Sequence, residues 1–197
     1  MSGWSRIADF LFEADALGRT ARSGFALLGA GSQSVAEHSF GVCVAALALA
    51  RMHGSADADR MLRMCLVHDF HEARATDLHR LAKRYATVDR RAAVRDVAEG
   101  LPFGAEIETL VEEFESGTSI EAQLCRDADR IELLVVLKHL RENGSQQAER
   151  WFVDVRARLE TDEGLQIAEA VASGDAHAWQ FRESNPSRST QDGEQEP

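Results

Sequence analysis

Proline is nearly missing from this sequence. There are three in 197 residues, and Pro102 is the only one before Pro186. Tyrosine occurs once, at Tyr85, and runs of β-branched residues are almost absent, whereas alanine is abundant. So few breakers and strand formers argue against a sheet-rich fold and favour helices. Cysteine is sparse too. Cys43, Cys65 and Cys125 are far apart and make no CxxC pair, which argues against a cysteine zinc site. Each lies in an apolar stretch, as expected of buried thiols in a reducing compartment. No apolar run reaches about 18 residues, so no membrane-crossing helix and no membrane partner are expected. Asp9 and Glu13 follow closely on the opening residues, so no secretory signal is expected and the expected location is cytoplasmic.

Positive charge is also in short supply. Lys and Arg total 22 against 33 Asp and Glu, giving a formal net charge of −11. That surface repels a phosphate backbone, so no nucleic-acid polymer is expected as a partner. A single small anion is still admitted, because a local site overrides net charge.

What remains is ordinary globular material: 44% hydrophobic and 28% charged residues. At roughly 100–200 residues per domain this is one domain. Residues 1–182 are read as that domain. The polar segment 183–197, with Pro186 and few apolar residues, is read as a disordered tail.

Local signals divide the domain into helices. Trp4, Ile7 and Leu11 recur at helical spacing and predict a buried stripe. Ser34-Val35-Ala36-Glu37 is a capping box, opening a helix that runs to about Met52, before Gly54. A helix starting near Asp57 carries Met61, Cys65 and His68. Thr118-Ser119-Ile120-Glu121 reads as a second capping box, opening a helix that ends near Asn143-Gly144. Gly100 and Pro102 separate two further helices, and Trp151, Val155 and Leu159 mark another. Ile167, Ala170 and Val171 give a shorter stripe. The expected fold is an all-α bundle of about seven to nine helices.

One string stands out for its chemistry: Leu66-Val67-His68-Asp69-Phe70-His71-Glu72. An unpaired carboxylate behind an apolar stretch is costly to bury, and a divalent cation removes that cost by taking imidazole and carboxylate together. At about 100° per residue, a helix places His68, Asp69 and Glu72 within one arc. His38, on the capped helix, is either a satisfied core group or a further ligand. Asp127 and Asp129 lie about 200° apart on a helix, so only one of them can face a shared ion. Periodicity does not separate the two.

The order His38, His68-Asp69, then a late Asp resembles the HD-domain metal-dependent phosphohydrolases. More narrowly, it is similar to the HD-domain 5′-deoxynucleotidases. Arg22-Ser23-Gly24-Phe25, Ser34–Ser39, Leu66–Glu72, Thr76-Asp77-Leu78 and Arg126–Asp129 resemble that family's strings in order, across Phe10 to Leu140. The resemblance selects Asp129 over Asp127. It implies His38, His68, Asp69 and Asp129 as ligands of a divalent metal ion. Co, Mn, Zn, Mg, Fe and Ni are not distinguished by these residues. Glu72 is implied as acid/base, Arg22 as phosphate clamp with Arg19 as an alternative, and Asp77 as the contact to the sugar 3′-hydroxyl. Lys83 is a second positive charge and Phe25 a stacking or core ring. His71 and His79 flank the site.

The implied substrate is a (deoxy)ribonucleoside 5′-monophosphate and the implied assembly a homodimer, with the Trp151 and Trp179 helices as possible contributors. Two departures fall at the expected substrate loop. Thr76 replaces the family's glycine, and His79-Arg80 follows where proline is common. Competing readings are a triphosphohydrolase using Arg74, Arg80, Lys83 and Arg84, and a non-catalytic nucleotide-binding regulatory module. A two-metal HD enzyme would need later histidines that are absent here.

Overall fold

The computed structural model describes residues 3–182. The polar segment expected to form a tail, 183–197, lies outside the described residues. Ten α-helical segments follow one another: α1 Gly3–Leu17, α2 Phe25–Leu28, α3 Val35–His53, α4 Ala58–Val67, α5 Glu72–Ala75, α6 Arg90–Ala98, α7 Gly104–Ser116, α8 Ile120–Glu142, α9 Gln146–Arg156 and α10 Asp162–Ser173. Two of them, α2 and α5, are single turns of four residues. The other eight make the all-α bundle expected from composition and caps. No β-strand occurs among the described residues; the nearest thing is an isolated bridge between Ala21 and Ser34.

The caps act as the sequence indicates. Ser34 Oγ accepts from Glu37 N–H, and the Glu37 carboxylate accepts from Ser34 N–H. Gly54 ends α3 at φ 80°, a backbone angle that a side chain opposes. Asp57 caps α4 by accepting from Arg60 N–H. At α8 the cap is Ser119, which accepts from Ala122 N–H, rather than Thr118. Glu121 therefore closes no box; its carboxylate accepts from Asp57 N–H instead.

The core sits where α3, α4 and α8 meet. Val42, Leu49, Met61, Met64, Leu124 and Leu134 are fully buried there or beside it. Each such side chain contributes about 1.5–3 kcal/mol by leaving water. A second cluster, Phe25, Leu28, Leu137, Phe152 and Val155, packs α2 and α9 onto the far end of α8.

Four sequence expectations change. The Trp4/Ile7/Leu11 stripe is buried only in part: Ile7 packs against the core, Trp4 and Leu11 face out, and α1 packs further through Phe10, Ala14 and Leu17. Phe10 stacks on Phe70 with centroids 4.6 Å apart, and that ring contact selects the face. On α10 Ile167 and Val171 pack on the core as expected, but Ala170 is exposed, and Gly164 and Ala168 are the buried residues. Leu159 lies beyond the end of α9. Finally, α3 has the length and apolarity of a membrane span, 19 residues at mean hydropathy 1.3. Its apolarity serves two faces. Val42, Ala46 and Leu49 enter the core, whereas Phe40, Val44, Leu47 and Met52 point outward.

Candidate metal centre

His38 occupies the second turn of α3 and is fully buried. Its Nδ1 lies 2.6 Å from Glu132 Oε2. Its Nε2 lies 3.1 Å from Asp129 Oδ1 and 3.8 Å from Asp69 Oδ2. His68 is held the same way: Nδ1 is 2.7 Å from the Cys65 carbonyl, and Nε2 is 3.3 Å from Asp69 Oδ2. Both Nε2 atoms are buried without a hydrogen-bond partner. Ligand atoms of His38, His68 and Asp69 all fall within 4.8 Å of one another.

These facts fit a cation. Two groups that share an ion at about 2.0–2.2 Å sit roughly 3 Å apart without bonding each other. Two orphaned imidazole nitrogens and two carboxylates are a donor set for a first-row divalent metal. The electrostatics agree. Burial opposes charge on His68, yet the neighbouring Asp69 raises its pKa to about 9. Burial likewise opposes charge on His38, but the carboxylates of Asp129 and Glu132 raise it. Burial pushes Asp129 up, and His38 more than compensates, leaving it at about 2. The centre is thus built to hold positive charge.

The backbone explains how Asp69 and Glu72 come together. α4 ends at Val67, so the continuous helix expected through Glu72 is interrupted. The next turn is tighter, with Phe70 N–H bonding Val67 O and Glu72 N–H bonding Asp69 O. Such i to i+3 bonds make three residues per turn and eclipse the side chains at i and i+3. Glu72 therefore stands over Asp69. Asp69, His71 and Glu72 also offer ligand atoms within 4.8 Å, but burial and the adjacent Arg90 lower His71 to about 4. A site beside Arg90 is a poor one for a second cation.

A cleft of about 710 Å³ opens from this centre, lined by Arg22, Asp69, Glu72, Asp77, Lys83 and Asp129. Arg150, Trp151 and Arg158, from α9 and just beyond it, form its far wall. Arg22 Nη1 lies 3.4 Å from Asp69 Oδ2. Glu72 is 3% exposed, and one of its oxygens is buried without a partner. Burial, with Asp69 and Asp77 nearby, pushes its pKa to about 8.

A family model described as HD domain matches residues 14–170. The chain belongs to the HD domain family. Its fold is shared by a conserved hypothetical protein from Pyrococcus furiosus, at 26% identity and TM-score 0.70, covering 84% of this chain and 98% of that one. A Pyrococcus horikoshii protein is similar at 28% identity and TM-score 0.68, covering 83% and 97%. A protein from Magnetospirillum magnetotacticum, described as a predicted metal-dependent phosphohydrolase, shares the fold at 21% identity and TM-score 0.65, covering 87% and 91%. No curated protein matches.

Within this HD domain the two late aspartates part company. Asp129 faces His38. Asp127 is fully buried on the other side of α8, accepting from Thr161 N–H at 2.8 Å, Thr161 Oγ1 at 2.7 Å and Glu160 N–H at 3.0 Å. It fastens α8 to the start of α10. Arg19 pairs with Asp15 just past the end of α1 and does not line the cleft, whereas Arg22 does. Arg74 is bound to Glu13, and neither it nor Arg84 lines the cleft. Phe25 borders the cleft while packing in the second core cluster. His79 lines the cleft with its Nδ1 accepting from Ala82 N–H. Asp77 caps no helix; its Oδ2 accepts from Ser23 N–H at 2.7 Å and Ser23 Oγ at 3.2 Å. Thr76 has φ 58°, a conformation that disfavours a β-branched residue and that glycine adopts freely.

Sequence reasoning missed Glu132, Arg150 and Trp151. The signal for Glu132 was available: a lone carboxylate inside Ile131-Glu132-Leu133-Leu134 needs a partner. The α9 residues carried none, since packing alone brings them to the cleft.

Proposed function

We propose that this HD domain is a metal-dependent phosphohydrolase, and that it hydrolyses (deoxy)ribonucleoside 5′-monophosphates to nucleoside and phosphate. One observation carries the reading: the free Nε2 atoms of His38 and His68 converge with Asp69 and Asp129 at the floor of a cleft that also holds Arg22 and Glu72. His38, His68, Asp69 and Asp129 would hold the divalent ion. Such an ion offsets phosphoryl charge and lowers the pKa of water.

The remaining work falls to the chain. Arg22 offers a planar fork to two phosphate oxygens, and its charge is secured by Asp129 and Asp69 against the cost of burial. Burial beside Asp69 and Asp77 pushes the Glu72 carboxyl up to about 8 in the metal-free chain, which suits an acid/base. As water attacks phosphorus and the P–O5′ bond breaks, Glu72 gives a proton to the departing 5′-oxygen and regains one from the attacking water. Asp77 accepts a hydrogen bond from the sugar 3′-hydroxyl, with one of its oxygens fixed by Ser23. Lys83 adds charge at the rim.

A second reading has its own observation. Arg80, Lys83, Arg150 and Arg158 extend the basic lining beyond Arg22, a length of positive charge that suits a triphosphate chain. Product analysis separates the two. Metal-stripped protein, reloaded with Co²⁺, Mn²⁺, Mg²⁺ or Zn²⁺, is offered deoxy- and ribonucleoside mono- and triphosphates. Orthophosphate from monophosphates is the expected product; tripolyphosphate would replace the first reading by the second. Absence of turnover with every substrate would favour a regulatory module.

The assembly we propose is a homodimer. Phe40, Val44 and Leu47 stand exposed at i, i+4 and i+7 on α3, a stripe suited to a second copy. Light scattering should give twice the chain mass, and Phe40→Asp should halve it.

A further inference from the structure

One buried carboxylate has no role in the chemistry above. Glu132 lies on α8 three residues after Asp129 and is 7% exposed. An ionised carboxylate in such a place costs several kcal/mol unless its oxygens are met. Both are met. Oε2 is 2.6 Å from His38 Nδ1, and Oε1 accepts from Gln33 Nε2 at 2.6 Å. The approach of α3 depends on residue 41 being glycine, because a Cβ there would lie 2.6 Å from Glu132 Cγ.

We propose that Glu132, locked by Gln33, is a positioning residue for the metal centre: it holds His38 Nδ1–H and keeps the Nε2 lone pair turned toward Asp69 and Asp129. A neutral imidazole donates from one nitrogen and accepts at the other, so the bond at Nδ1 fixes which nitrogen is free. A carboxylate acceptor also makes Nε2 a more basic ligand. Gln33 completes the lock, because its Nε2 donates only and holds Glu132 as an acceptor. The Gln33 carbonyl accepts from Arg22 N–H at 2.9 Å, so one loop residue ties the anion arm to the first ligand. The inference rests on the metal-site part of the proposed function and on nothing about the substrate.

The test is Co²⁺ titration of the full, metal-stripped chain, read by visible absorption, beside its metal-free melting temperature. Glu132→Gln should keep the fold and weaken Co²⁺ binding about 10- to 100-fold. Gln33→Ala should weaken it by about tenfold or less, and the double variant should bind no more weakly than Glu132→Gln alone. Unchanged affinity and spectrum in folded Glu132→Gln would overturn the proposal, as would fully additive losses in the double variant. Should Glu132→Gln not fold, Gln33→Ala, which alters a loop side chain, decides alone: a measurable loss of Co²⁺ affinity supports the lock, and unchanged affinity overturns it. A wild-type chain that takes up no Co²⁺ would remove both the metal centre and this inference. Loss of the nucleotidase reading alone would leave the titration result standing.

Discussion

The floor of the cleft and its rim are built in opposite ways. The floor is fixed by helices that share a core: His38 from α3 and His68 from the end of α4 both approach Asp69, and Asp129 from α8 meets His38. The rim comes from the segment after α5 and from α9. There Lys83 and Arg150 are exposed, Thr76 sits at a strained angle, and Asp77 is held by one loop residue. In the proposed function, chemistry that demands fixed geometry falls to the rigid part and selectivity to the part that tolerates change. Two proteins of this family can therefore share a floor and differ in substrate.

The comparison breaks most sharply at the floor. Asp69→Ala should abolish metal retention while leaving the helical content intact by circular dichroism. A cation supplies several kcal/mol of charge stabilisation, so turnover should fall by about 10³-fold or more. Loss of folding instead would make the floor a structural knot. Glu72→Gln should cost about 10²–10⁴-fold in kcat with metal content unchanged. It should also alter metal-free stability with pH in a signed way. The raised carboxyl of Glu72 means that the folded chain holds a proton which the unfolded chain releases from about pH 4.5 upward. Wild-type stability is thereby eroded as pH rises toward 8. Glu72→Gln escapes that loss, so its melting temperature should gain on wild type between about pH 5 and pH 8.

Asp127→Ala gives the control two residues from Asp129, on the opposite face of α8. It strips the partners from buried Thr161 and Glu160 donors and should cost about 2–4 kcal/mol, on the order of 10 °C in Tm. Metal content per folded molecule should not change. The smallest effect belongs to the rim. Asp77→Ala should lower the preference for deoxy over ribo substrates by about tenfold in kcat/KM ratio, with metal binding untouched. An unchanged ratio would take Asp77 out of sugar recognition.

Much of this was legible before any coordinates. Ser34, Asp57, Gly54 and Gly144 act through their own backbone neighbours, so local sequence suffices to read them. The all-α class follows from the same local signals. The family resemblance supplied the order His38, His68-Asp69, Asp129, whereas helical geometry alone left Asp127 and Asp129 open. Their separation depends on α10 docking beside Asp127, a tertiary fact. The break after Val67 was hidden because His68 keeps helical angles, φ −57° and ψ −37°. The face used by α1 was misread because Trp4 and Leu11 have the same spacing as the Phe10–Leu17 face.

The pairing of Ala21 with Ser34 carries a consequence for the timing of motion. Arg22 N–H is bonded to Gln33 O, and Val35 N–H to Thr20 O, both at 2.9 Å. The segment 20–35 is closed on itself at the mouth of α3, so it opens as a unit or not at all. A single such excursion withdraws Arg22, the proposed phosphate clamp, and loosens the grip on Glu132 together. In hydrogen-exchange terms, the Arg22 and Val35 amides should share one opening free energy and lose protection in step, a cooperative unit in which anion capture and metal retention are lost by the same event.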